Sequence, residues 1–187
     1  KDLHTHASGV NSEMAGNLLS AFGSKIELSE LDEGAQNTKL KSYITTEELT
    51  PIEPNPSKTF KSALENLVAS SDWNVQFDAC NEIRRVCKFH QDLILQHGAT
   101  LHSLVKQLTK LSDSMRSSLS KIALITIKDM FQFLKRCMET YLDPVVKILL
   151  KRGSDTNNFI SEAAEAALLT MTVHCSDVKV FACIMSQ

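Results

Sequence analysis

The chain has 187 residues, 43% hydrophobic and 22% charged, with a net charge of −2, an ordinary balance for a globular domain with a real core. No apolar run approaches the ~20 residues of a membrane-spanning helix, and the charge lacks the dense basic stripe of a nucleic-acid binder. Five cysteines without a C-x-x-C pair argue against a zinc site and for reduced thiols packed as small hydrophobes in an intracellular protein.

Residues 1–57 carry a net charge of −5 and residues 58–187 a net of +3. The start, Lys1 to His6, has no apolar core and does not resemble a signal peptide. Four glycines interrupt residues 1–57, and the segment reads as extended or partly disordered. Within it, Asn11 to Phe22 has the pattern of one short helix, with Met14, Leu18, Leu19 and Phe22 on a face. Pro51, Pro54 and Pro56 then mark a boundary, because proline lacks an amide donor and disfavours a helical predecessor.

From residue 58 the spacing of apolar residues turns helical. Ser57 is the expected cap of a helix bearing Phe60, Leu64, Leu67 and Val68. Ser70, Ser71 and Asp72 close it and cap a second helix, whose apolar face is Val75, Phe77, Ala79, Cys80, Ile83, Val86 and Cys87. Gln91 to Gly98 is a connector. A helix from Ala99 carries Leu101, Leu104, Val105, Leu108 and Leu111 and closes at Ser112-Asp113-Ser114. The next, over 117–139, is apolar nearly all round, which predicts a central helix packed on both sides. A third pair begins at Tyr141, with Pro144 in the first turn and Gly153 placed as the residue after the helix end. Asp155 or Thr156 starts the helix over 158–174, rich in alanine, and a seventh helix begins near Val178.

The polar bends of these pairs recur at a nearly constant interval. Trp73 and Arg116 are 43 positions apart, and Arg116 and Asn158 are 42. A helix-pair repeat of about 40–47 residues is the mark of HEAT and armadillo solenoids. One such unit cannot bury its apolar face alone, so it stacks on its neighbour and the bends line up along an edge. The expected fold is therefore an all-α, HEAT/armadillo-like α-solenoid of about three helical hairpins plus a terminal helix, over residues 58–187. Function is expected on the edge of bends, as a non-catalytic protein-binding surface.

With those residues laid out, the chain resembles a TOG domain of the CLASP and crescerin type. The resemblance rests on Asp72-Trp73 in the first bend and on Met115-Arg116-Ser117 with Ala123 and Asp129-Met130-Phe131 in the second repeat. It rests most on Leu149-Leu150-Lys151-Arg152, Asp155 to Ile160 and Ala164 in the third. It implies binding to tubulin or microtubules through the within-repeat bends, in a cytoplasmic, cytoskeletal or ciliary setting. The implied contacts are Trp73, Asp72, Arg116, Ser117, Asn157, Asn158 and Lys121, with tryptophan supplying apolar area and the basic groups steering. Two positions that are usually basic in the family hold Asn158 and Ser161 here, and a full domain of the family has about twice as many repeats. The alternative is an armadillo-like adaptor that holds a different protein. No nucleophile motif, Walker loop or dinucleotide fingerprint is present, and no cofactor, metal or nucleic acid is expected.

Overall fold

Asn55 begins the helical part, and the reason lies in its two neighbours. Its side chain accepts a hydrogen bond from the Lys58 amide at 3.0 Å, and Pro56 occupies the first helical position, where a missing N–H leaves nothing unsatisfied. The cap is therefore Asn55 and not Ser57. The last residue of the proline run opens the helix it was expected to precede.

The computed structural model describes residues 41–96 and 98–186; the helix expected over 11–22 lies outside them. Among the described residues there is no strand. The helices are α1 (Pro56–Ala69), α2 (Trp73–Phe89), the short α3 (Gln91–Leu95), α4 (Gly98–Ser112), α5 (Ser117–Leu134), α6 (Leu142–Gly153), α7 (Asn158–His174) and α8 (Asp177–Met185). The pairs α1/α2, α4/α5 and α6/α7 are helical hairpins, and α8 follows as a terminal helix. The fold is an all-α, HEAT-like solenoid.

The core forms where the second helices meet. Helix α5 lies between α2 and α7 and packs on α4 as well. That is why Ile122, Ala123, Leu124, Ile127, Met130 and Phe131 are all almost fully buried. On α7, Ala164 and Ala167 are fully buried; their small side chains permit a close approach to α5. Val68 departs from expectation. It is exposed, and Ala63 takes the inward position on α1. The Cys80 thiol sits in this core, and burial pushes its pKa up to about 12, so it is inert packing.

Two helix C-terminal ends also differ from the sequence reading. Helix α5 ends at Leu134, five residues early, and Lys135 turns with φ of 49°. A 3-10 segment, Lys135–Tyr141, then leads into α6. Within that segment Met138 is fully buried. Gly153 was expected as the residue just after the end of α6. It is instead the last helical residue, and Ser154 follows with φ of −96° and ψ of 12°, its hydroxyl donating to the Leu150 carbonyl at 3.3 Å.

Residues 42–55 form a non-helical strap, with a turn over 46–48, across α2 and α5 within the compact unit Ser42–Gln187. Leu49 and Ile52 plug it into the core at 4% and 3% exposure. A lone non-helical segment has no ladder partner for its carbonyls, and α2 supplies donors instead. Lys88 Nζ donates to the carbonyls of Thr46 (2.7 Å), Glu47 (3.2 Å) and Leu49 (3.4 Å). Arg85 donates to those of Thr50 (2.8 Å) and Pro51 (2.7 Å). Beneath the strap lies a buried ion pair. Arg84 Nε meets Asp129 Oδ2 at 2.6 Å with both side chains fully buried, and the Thr46 hydroxyl donates to Asp129 Oδ1 at 2.7 Å. One carboxylate thus ties together α2, α5 and the strap.

Candidate protein-docking edge

The three bends, over 70–72, 113–116 and 154–157, are linked to one another by side chains. From the second bend, the Arg116 guanidinium lies 4.5 Å over the Trp73 ring at the first. From the third hairpin, Lys151 Nζ reaches Asp113 Oδ1 at 2.7 Å and Arg152 Nη2 reaches it at 3.2 Å. Arg152 also donates to the Ser112 carbonyl at 2.8 Å and pairs with Asp155 at 2.8 Å. The bends therefore stand next to one another, as stacked hairpins require.

The first and third bends are built by local caps; the second has no side-chain cap, and the Arg116 amide there donates to the Ser114 hydroxyl at 3.2 Å. Asp72 Oδ1 accepts from the Asn74 amide at 2.8 Å and starts α2. Asn157 Oδ1 accepts from the Phe159 amide at 3.0 Å and starts α7, while Asp155 Oδ1 accepts from the Asn157 amide at 3.0 Å. These bonds satisfy amides that no helix can satisfy at its own start. The cap of α7 is thus Asn157, where Asp155 or Thr156 was expected. The backbone hydrogen bonding of Asp155, ahead of its ion pair with Arg152, holds its carboxyl below the usual range.

Between the bends runs a chain of rings and cations. Trp73 is half-buried and meets Phe77 edge-on, centroids 6.5 Å apart at 85°. Tyr43, from the strap, lies edge-on to Phe77 and to Phe159, 5.4 Å from each, and its hydroxyl donates to the Ser118 carbonyl at 3.2 Å. Lys121 Nζ stands 3.3 Å from the Phe159 ring centroid and 5.1 Å from that of Tyr43. Burial lowers the Lys121 pKa, with Glu162 opposing the shift, and burial raises that of Tyr43. Met115 projects from the second bend with its side chain wholly exposed.

The arrangement joins Trp73, Arg116 and Lys121 from the expected set. Trp73 is only partly accessible, because it is the first residue of α2 and rests on the core. Lys121 is half-buried, with two rings covering part of it. Ser117 is half-buried as the first residue of α5, and Asn158 is exposed at the start of α7. Tyr43 and Phe159 were missed. Phe159 had a visible signal, an aromatic directly after a cap in the third bend. Tyr43 had none, because its place comes from a strap folded back over more than seventy residues.

Chemically, the edge offers aromatic faces, an exposed thioether and cations held by rings. A stacked guanidinium keeps its in-plane N–H groups free for a carboxylate. Among the described residues no group of three His, Cys, Asp or Glu side chains could hold a metal, and no helix is long and apolar enough to cross a membrane.

Comparison with known proteins agrees with this architecture. The family model described as CLASP N terminal matches residues 56–187. The chain is similar to TOG array regulator of axonemal microtubules protein 1 of Homo sapiens and of Mus musculus, 32% identical to each over 124 residues. Those residues are 66% of this chain and 7% of either relative, so the chain spans only a small part of the curated relatives it matches. The chain belongs to the CLASP N-terminal family and is a TOG domain of stacked helical repeats.

Proposed function

We propose that this domain binds tubulin, free or in the microtubule, through the edge of bends, and that it acts without catalysis. The observation that carries the reading is the run from Arg116 over Trp73 to Lys121 against Phe159 and Tyr43, with Met115 fully exposed beside it. Such a surface presents buried-when-bound aromatic area with cations at its margin, the composition of a protein-binding hot spot. Membership of the family and a relative named for regulating axonemal microtubules support the same partner. They also support a cytoskeletal or ciliary location. Trp73 is the apolar anchor, Arg116 and Lys121 face acidic groups of the partner, and Asp72, Ser117, Asn157 and Asn158 shape the bends and line the contact.

A second reading, an adaptor for another protein, is favoured by one feature. The third bend is poor in free positive charge. Lys151 and Arg152 are engaged with Asp113 and Asp155, and Asn158 and Ser161 are neutral. Size-exclusion co-migration with purified tubulin at low salt separates the two. A complex with the wild type that is lost with Trp73→Ala and weakened by added salt supports tubulin docking. No complex with the wild type would remove it and promote the adaptor.

A further inference from the structure

Helices α4 and α6 are the first helices of consecutive hairpins and run side by side in the same direction. Between them is an open groove of about 630 Å³. Lys106 and Lys110 form one wall and Lys147 and Lys151 the other, with Ile148, almost buried, contributing to the floor. Asp113 supplies the groove's carboxylate, and it already holds Lys151 at 2.7 Å and Arg152 at 3.2 Å. Lys106, Lys110 and Lys147 are exposed and make no ion pair among the described residues. At the far end the groove runs into an apolar recess of about 230 Å³ lined by Val105, Tyr141 and Pro144.

We infer that this groove binds an extended, glutamate-rich peptide segment of a partner protein. The register supports it. Lysines four apart on a helix are separated by about 6 Å along its axis. In an extended chain, alternate residues point the same way and recur at about 6.6 Å. Alternate glutamates would then direct their carboxylates to Lys106 and Lys110 on the α4 wall, and the glutamate between them would face Lys147 on the α6 wall, since Lys151 is already held by Asp113. The charge is confined to two facing walls over one helical turn, on a chain whose net charge is −2. That fits a narrow acidic strand and not a membrane surface or a nucleic-acid backbone, which need a broad positive field. The inference is independent of the edge of bends and does not require tubulin as the partner.

The test is fluorescence anisotropy of a labelled hexaglutamate peptide with the whole chain at low salt. Saturable binding is expected, falling at least tenfold in Lys106→Glu/Lys147→Glu and steeply with salt. It should be little changed in Lys58→Glu/Lys61→Glu, which alters the charge equally on α1, and unchanged in Trp73→Ala. Thermal melts check folding, and Lys106→Gln/Lys147→Gln replaces the reversal variant if that one is unfolded. Equal binding by the groove variants, equal binding of hexaglutamine, or capture of phosphatidylserine vesicles without peptide binding would each overturn the assignment.

Discussion

Two arginines define two regions of this domain that use the same side chain oppositely. Arg84, in the seam between α2 and α5, is fully buried and its Nε is 2.6 Å from Asp129. Arg116, on the edge of bends, is exposed and lies 4.5 Å over an indole. The buried pair fixes how two hairpins and the strap meet, since removing one partner strands a charge away from water. The exposed cation contributes little to folding, because water solvates it in either state, and its N–H groups remain available. Stability thus resides in the seam and recognition on the edge a short distance away.

The seam gives the largest test. Asp129→Ala should lower the unfolding free energy by about 3–5 kcal/mol, read as a fall in the urea midpoint. Arg84→Met combined with Asp129→Leu should recover most of that loss, since the penalty lies in the orphaned charge. A small effect of Asp129→Ala alone would mean that the pair is not what joins the hairpins.

On the edge, Trp73→Ala should cost at least about 2 kcal/mol of tubulin affinity by titration, with a smaller loss of stability because the indole is only half-buried. Stability falling more than affinity would make Trp73 a packing residue. Tyr43→Ala crosses both regions: it should destabilise by about 1–2 kcal/mol, as a half-buried ring touching Phe77 and Phe159. It should also weaken the same complex, since Lys121 loses one of its covering rings. Arg116→Ala should leave the urea midpoint nearly unchanged and reduce affinity by about 0.5–1 kcal/mol, mainly through a slower, less salt-sensitive association rate.

The smallest effect is a pH dependence. The folded-state pKa of Lys121 is depressed by burial, so the unfolded chain binds that proton more tightly than the folded one. Stability should therefore rise with pH between the depressed value and the ordinary lysine range. Urea midpoints across that interval should rise less in Lys121→Met than in the wild type; identical slopes would remove Lys121 as the source.

Much of the fold could be read along the chain because it is local. The apolar stripe of α5, the alanines of α7 and the places of the three bends all follow from helix periodicity and polar punctuation. Errors fell where distant residues decide. Lys135 breaks a segment with good helix propensity, and Met138 beyond the break is fully buried. Val68 gave way to Ala63 because the neighbouring helix, not α1 itself, sets which stripe faces inward. At the candidate site, Trp73 and Arg116 were visible as polar-bend residues of one repeat length. Their stacking was not visible, nor was the third ring partner.

Sequence alone determined that this chain is a row of amphipathic helix pairs with aligned bends, because a 3.6-residue period and a repeat of fixed length are written in order along it. Only the tertiary structure decided which charges are free. Lys151 and Arg152 appear as cations in the sequence, yet they are bound to Asp113 and Asp155, while Lys106, Lys110 and Lys147 face an open groove. Charge is a property of a residue, but availability depends on what lies within a few ångströms: Asp155 stands beside Arg152 on the same bend, whereas folding brings Asp113 to Lys151 and Arg152 from 38 or more residues away.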